Sequence, residues 1–394
     1  MIKTFKYKLY KSKSKRLCNS INIAGKIYNH CISLHKRYYK MFGKYLQSYD
    51  LQKHITKLKK LKKYNYWNQL NSQAIQEITD RIHRNYTLFF NNLKTKNKRR
   101  VNPPSFKSSR KYKSFTLKQT GYELLKDNSI IIMKKKYKFF KSREIEGKIK
   151  TLTIKRDSLN DIYLYFVCEV GNPKLRTMTG KTAGFDFGLK TYLTPDEDEK
   201  IEAPLFLSKD LKHLKKLSKK HSKKIKGSNN RERSRKNLCR FYKKLVNKRL
   251  DFHFKLAKQL CDAYDEVYFE SLNIDAMKRI WGRKISDLSF STFMNILELY
   301  CIKTGTKLVK IGRFEATSKI CHVCGYKKED LTLNDRTWIC PECEIEHDRD
   351  INAAINIKLV GTSTSRGEEV RLPQVISNNL RKHSSLVTLE SPVL

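Results

Sequence analysis

Two Cys-x-x-Cys pairs, Cys321/Cys324 and Cys340/Cys343, stand with 15 residues between them. Each pair offers two thiolates from one tight knuckle; Gly325 turns the chain after the first and Pro341 stiffens the second. Four thiolates from short turns meet the tetrahedral demand of Zn²⁺ and leave no coordination position open, so the expected role is a structural zinc ribbon, not a catalytic metal. His322 and His347 lie beside this complete set and are expected to be bystanders or phosphate contacts.

Three carboxylates occupy places where a carboxylate is costly. Asp186 interrupts Gly184-Phe185-Asp186-Phe187-Gly188, Glu270 closes Val267-Tyr268-Phe269-Glu270, and Asp350 heads Asp350-Ile351-Asn352-Ala353-Ala354-Ile355. A carboxylate at the end of a core strand needs a cationic partner. Three converging from two strands and a helix start would bind one or two Mg²⁺ ions, which can activate a water and stabilise the leaving oxygen of a phosphodiester. Plainer roles stand beside this one. Asp350 could be only a helix N-cap, with Asp348 competing for either role, and Glu270 could be an exposed strand-end acid. Phe-Asp-Phe between glycines makes a poor ordinary strand, so Asp186 is the hardest to explain otherwise. The acids lie 84 and 80 residues apart, and spacing alone leaves their convergence open.

The elements that must carry these groups follow from periodicity. Residues 1–10 alternate apolar and basic and read as a strand; Leu17, Ile21, Ala24, Tyr28 and Cys31 then mark a helix face. Leu51 to Lys63 is helical and lysine-rich, and Ile75, Ile78, Ile82, Tyr86, Phe89 and Leu93 mark another long helix. After the basic run Lys94–Arg100 and two prolines come short strands at Ser114–Leu117, Ser129–Met133, Lys150–Ile154 and Ile162–Val170, a pattern expected of a small antiparallel barrel or sandwich. The first strand is expected to join it, with the helices inserted. A strand through Asp186, a returning strand, an amphipathic helix to about Tyr264, a strand at Glu266–Leu272, a helix from about Phe290 to Thr304 and a strand at Lys307–Ile311 lead to the cysteines.

Charge names the class of partner. The 394 residues carry 84 Lys+Arg against 38 Asp+Glu, a formal net charge of +46. Such self-repulsion calls for a polyanion. No apolar run approaches a membrane span, and the N-terminus lacks a signal peptide's apolar centre, so nucleic acid is preferred to a membrane. Lys209–Arg249 carries 18 Lys/Arg against two acids and is expected to contact phosphates, with Lys94–Arg100 and Lys134–Lys138. Tyr64, Tyr66 and Trp67, interleaved with lysine, could stack on unpaired bases, although core packing is the plainer role for Trp67. The remaining six cysteines lack framework spacing, which suits a reducing interior.

Taken together, the Gly-x-Asp-x-Gly strand, the acid-terminated strand, Thr317-Ser318-x-x-Cys321-x-x-Cys324-Gly325, the second cysteine pair and Asp348-Arg349-Asp350-x-Asn352-Ala353-Ala354 resemble TnpB. This is the transposon-encoded nuclease family related to type V CRISPR effectors and to Fanzor proteins. The likeness extends more loosely to Ile2–Tyr10, Tyr28-Asn29 and Ser72-Gln73-Ala74-Ile75, and so covers nearly the whole chain. One departure is Glu344, where the family more often has Gly.

The resemblance implies a multidomain α/β plus α+β protein, with an RNase H-like (RuvC) nuclease domain and an N-terminal β-barrel wedge. The wedge would comprise 1–12 and 101–178, with a helical recognition lobe at 13–100. The nuclease domain would comprise 179–315 and a last helix at 347–361, with the zinc ribbon at 316–346 and a disordered polar tail at 362–394. It implies Asp186, Glu270 and Asp350 as catalytic Mg²⁺ ligands, with Cys321, Cys324, Cys340 and Cys343 on Zn²⁺. A guide RNA from the protein's own element would direct cleavage of double-stranded DNA next to a short flanking motif; if the host is prokaryotic, this would happen in the cytoplasm, in association with the nucleoid. Two alternatives stay open: a DNA-binding repressor, RNA-guided or not, without cleavage, and a strand-transfer transposase.

Overall fold

The computed structural model describes residues 1–11, 13–95, 101–108, 111–173, 175–197, 199–312, 317–332 and 335–366. Most of the basic run before the prolines (96–100) and the chain from 367 onward lie outside these. Internal contacts divide the chain between Asn172 and Pro173.

The first unit begins with β1 (Ile2–Leu9), followed by α1 (Lys15–Phe42), α2 (Ser48–Leu58), a 3₁₀ helix (Lys62–Gln69) and α3 (Ser72–Lys94). The strands β2 (Ser114–Leu117), β3 (Tyr122–Leu124), β4 (Ser129–Ile132), β5 (Lys135–Phe140), β6 (Lys148–Arg156) and β7 (Ile162–Glu169) complete it. They form a seven-stranded antiparallel sheet in the order β2-β6-β7-β1-β5-β4-β3. The first strand pairs with β7 from Ile2↔Glu169 to Lys8↔Tyr163, so it lies in the sheet and the helices are inserted after it.

Helix α1 buries Leu17, Ile21, Ala24, Tyr28 and Cys31, as its period requires, and α3 buries Ile75, Ile78, Ile82 and Tyr86, while Leu93 at its end is exposed. Lys134–Lys138 forms the turn into β5 and most of that strand: its four lysines are exposed, alternation sets Phe139 inward, and Lys136 pairs with Asp127 at 2.7 Å. Trp67 is 2% exposed and packs on Tyr64 and His30, the core role expected of it. Tyr66 stays accessible, with Lys26 Nζ 4.9 Å from its ring centroid.

The second unit carries β8 (Thr182–Phe187), β9 (Thr191–Pro195), β10 (Ile201–Glu202), α4 (Phe206–Lys209), α5 (Leu211–Ser222) and α6 (Asn229–Ala263). Then come β11 (Glu266–Glu270), α7 (Ile274–Leu288), α8 (Phe290–Thr304), β12 (Lys307–Ile311), the short ribbon strands β13 (Thr337–Ile339) and β14 (Glu346–Asp348), and α9 (Arg349–Arg366). The main sheet has the order β10-β9-β8-β11-β12, with β8, β11 and β12 parallel, β9 antiparallel to β8 and β10 antiparallel to β9.

Strand alternation gives this sheet two unlike faces. Ala183, Phe185, Phe187, Val267 and Phe269 point to a core shared with Leu256, Leu260, Phe290, Phe293 and Leu297 of α6 and α8. Tyr268 points the other way, into a smaller cluster with Ile357 and Val360 of α9. Helix α9 runs to Arg366, five residues past its expected end at 361, so the first residues assigned to the tail are helical. Among the described residues no helix is long and apolar enough to cross a membrane.

Candidate metal centres

The first centre is the cysteine cluster. Its four Sγ atoms all lie within 4.8 Å of one another, with Cys324–Cys340 at 3.5 Å and Cys321–Cys343 at 3.7 Å. A Zn–S bond of about 2.3 Å places sulfurs about 3.8 Å apart on a tetrahedron, so the donor set fits Zn²⁺. Each knuckle closes by a backbone hydrogen bond. The Gly325 N–H donates to Cys321 O and the Glu344 N–H to Cys340 O, both at 2.9 Å. Gly325 and Glu344 hold equivalent left-handed conformations, φ +80° and +57°. That is why glycine suits the second position, where this chain bears the Cβ of Glu344.

His347 is 3% exposed, with Nε2 3.1 Å from Cys321 Sγ. It therefore supports the sulfur cluster and is no phosphate contact. His322 donates its backbone N–H to Asn352 Oδ1 at 3.1 Å, and its ring Nδ1 lies 2.9 Å from the same oxygen. Asn352 and Asn356, both 1% exposed, each donate an amide N–H to Ile320 O at 2.7 Å. Asn356 also reaches Thr317 O at 2.8 Å. The ribbon is thus bonded to one face of α9, a join carried by two asparagines that charge and period give no reason to single out.

The second centre lies where β8 and β11 end. These parallel neighbours pair Phe185 with Phe269, whose rings stack at 5.1 Å in the core. One step on in the same register come Asp186 and Glu270, on the opposite face, with backbones about 4.8 Å apart as for any paired strands. Asp350 enters from the first turn of α9, which covers that face. Burial of the Asp186 carboxyl pushes its pKa up to about 7, and the charges of Asp350 and Glu270 push the same way; Arg349 and the Phe187 N–H oppose them weakly. This mutual repulsion is the electrostatic sign of three acids facing one space.

Asp350 is balanced by Arg336 Nη1 at 3.0 Å and Arg349 Nη2 at 3.2 Å. The acids are more widely spaced than the cysteines. Among the described residues only the cysteine set brings three or more such donors all within 4.8 Å of one another. A set of three carboxylates with one held near neutrality is nonetheless a donor set suited to a hard cation.

The competition between Asp348 and Asp350 resolves clearly. Asp348 Oδ1 accepts the N–H groups of Asp350 and Ile351, both at 3.0 Å, which is N-cap geometry. Lys200 Nζ lies 2.7 Å from its other oxygen. Burial alone would raise the Asp348 pKa, but Lys200 and the two helix N–H groups hold it below the ordinary value. Asp350 is therefore not needed as the cap.

Residues that the sequence did not single out also converge here. Asp196, in the run Pro195-Asp196-Glu197-Asp198-Glu199 that reads as a solvated surface, is 8% exposed. It accepts the Gly184 N–H at 3.0 Å and pairs with Lys358 of α9 at 2.5 Å. In the basic region, α5 buries none of its residues, and Arg231 of α6 donates to Lys224 O at 2.5 Å near the hairpin turn.

Two family models match the chain: a "Probable transposase" model (OrfB_IS605) over residues 165–281 and a "Cas12f1-like, TNB domain" model over 290–357. A Streptomyces pristinaespiralis protein named "Putative RNA-guided DNA endonuclease" is 32% identical over 59% of this chain and 58% of its own length. "TnpB-like protein L79" of Acanthamoeba polyphaga mimivirus is 30% identical over 54% and 43%. The chain thus spans about half the length of these curated relatives. Among solved structures, a Cas12f1 in complex with sgRNA and target DNA shares the fold at TM-score 0.51 and 16% identity, over 87% of this chain and 82% of that one.

Proposed function

We propose that this chain is a member of the TnpB family, which the two family models and the similar proteins support, and that it is an RNA-guided endonuclease of transposon origin. It cuts double-stranded DNA next to a short flanking motif, under the direction of a guide RNA from its own element. The observation that carries the reading is the register that sets Asp186 beside Glu270, with Asp350 close enough to help raise Asp186 toward 7.

In this reading the second unit is an RNase H-like nuclease domain, which its strand order supports, and 316–346 is its zinc ribbon. The seven-stranded sheet is the wedge, and α1 to α3 form the recognition lobe. Mg²⁺ bound at the acids would supply charge neutralisation and an activated water for phosphodiester hydrolysis. The protein's own part is positional. Asp186 and Glu270 hold their carboxylates at the carboxyl ends of two central strands, and the capped first turn of α9 delivers Asp350. Arg336, half exposed beside Asp350, lies where it can meet the scissile phosphate once a cation takes the carboxylate. The lysines of α5 and α6 contact phosphates and read no base, so base pairing with the RNA sets the target.

The test is purification with co-expressed element RNA, then incubation with a target plasmid before and after ribonuclease treatment. RNA-dependent linearisation that Asp186→Ala abolishes, with RNA retention intact, is the expected result. RNA-dependent binding without cutting would leave a repressor, and joined products would leave a strand-transfer transposase.

A further inference from the structure

Strand β8 carries Asp186 and helix α9 carries Asp350, so the gap between them depends on how α9 seats on the strand. The seat is Gly184, two residues before Asp186 and therefore on the same face. A Cβ added there would overlap the Ala354 carbonyl oxygen and stand 2.8 Å from the Lys358 backbone nitrogen. Helix and strand thus meet backbone to backbone.

Polar groups close around this contact. Asp196 and Gly184 exchange two hydrogen bonds: the Gly184 N–H donates to Asp196 Oδ1 at 3.0 Å, and the Asp196 N–H donates to Gly184 O at 3.2 Å. The other Asp196 oxygen meets Lys358 Nζ at 2.5 Å, and Glu197 adds a second contact to the same ammonium at 3.0 Å. The Asp196 side chain is 3% exposed, so its charge is matched almost wholly by this one lysine. Asp350, Ala354 and Lys358 fall in one i, i+4, i+8 row along α9, so the row that touches the strand also ends in the acid.

We propose that Asp196 and Lys358 are positioning residues: their buried ion pair, closed around Gly184, fixes the separation of Asp350 from Asp186 and so the grip of the acids on divalent cations. The inference rests on the reading of these acids as cation ligands. A helix transmits displacement as a rod over the roughly 12 Å between Lys358 and Asp350, and a metal site tolerates only about 0.5 Å of error. Nothing in the chemistry of the cut passes through either residue.

Removing one partner would strand the other charge in the interior, so the informative variant is the double Asp196→Asn/Lys358→Met, which removes both charges. Lys358→Arg serves as the conservative control. Mn²⁺ binding to the full-length, RNA-loaded protein is followed by electron paramagnetic resonance, beside plasmid cleavage against Mg²⁺ concentration and a thermal melt. The double variant should weaken Mn²⁺ binding, and raise the half-saturating Mg²⁺ for cleavage, by about tenfold or more. Zinc content and RNA retention should be unchanged, and Lys358→Arg, which keeps the charge, should hold most of the wild-type affinity. A folded double variant with wild-type Mn²⁺ affinity overturns the proposal. A wild-type protein that never cuts overturns the nuclease reading instead, and the Mn²⁺ arm still decides this one.

Discussion

Without a cation, the three acids should weaken the fold they sit in, and Asp186→Asn should relieve that. In the folded chain Asp186 keeps its proton up to about pH 7, while an unfolded aspartate releases it near 3.8. Between those values the native state binds more protons than the unfolded state, so stability falls as pH rises, and the loss is complete above pH 7. The difference of about three units has a ceiling of about 4 kcal/mol at 1.36 kcal/mol per unit. Local relaxation and solvent near a half-buried carboxyl reduce that to about 2 kcal/mol. For a unit of this size the gain corresponds to about 4–8 °C in melting temperature. The assay is a thermal melt of wild type and Asp186→Asn in chelator at pH 5 and pH 8, repeated in Mg²⁺. The variant should melt higher at pH 8, the gap should shrink at pH 5, and Mg²⁺ should raise the wild type more than the variant. A variant that melts at or below wild type at pH 8 in chelator would refute the premise that these carboxylates crowd one another.

Further expectations concern the ribbon and a buried ion pair of the second unit. One equivalent of zinc per chain should be found by elemental analysis, and Cys340→Ser should lose it, with red-shifted emission from Trp338, which is 5% exposed among the ribbon residues; full zinc retention would contradict a four-cysteine site. Glu344→Gly should raise resistance to chelators and add about 1 kcal/mol by relieving a left-handed non-glycine residue. Loss of stability would show that the Glu344 side chain makes a contact worth more than that strain. Asp287, whose side chain is 1% exposed, accepts the N–H groups of Leu207 and Ser208 and pairs with Arg249 at 2.8 Å. Asp287→Ala should therefore cost about 3–5 kcal/mol in urea denaturation, because it leaves a cation and two donors unmet.

Much of the second unit was legible because its strands are short and apolar between clear breaks. Phe290–Thr304 and Lys307–Ile311 fall where the period placed them. Helix α7 escaped notice because Trp281 is non-helical (φ −119°) and Gly282 follows, so the apolar period breaks midway. Strand β5 was hidden by lysine, since Lys135-Lys136-Tyr137-Lys138-Phe139 announces charge more loudly than alternation. Individual acids could be picked out by their apolar neighbours, but their meeting depends on a β8–β11 register set by rings on the opposite face. The partnership of Asp196 with Lys358 was invisible for a related reason: an acid amid acids reads as solvent-facing until a helix is laid over it. The likeness to known relatives supplied an order of motifs, and the register supplied a physical cause for that order.

Helix α9 has almost no idle side. One row meets the ribbon through Asn352 and Asn356, another meets β8 through Ala354 and Lys358, and a third fills the small core with Ile357 and Val360. From Asn352 to Gly361 only Leu359 is exposed. A saturation mutagenesis profile of this chain should therefore lack, over these residues, the rise and fall every three or four positions that an ordinary surface helix shows. It should instead register a near-continuous block of intolerance, broken at Leu359, with the free positions of the lysine-rich α5 as its contrast.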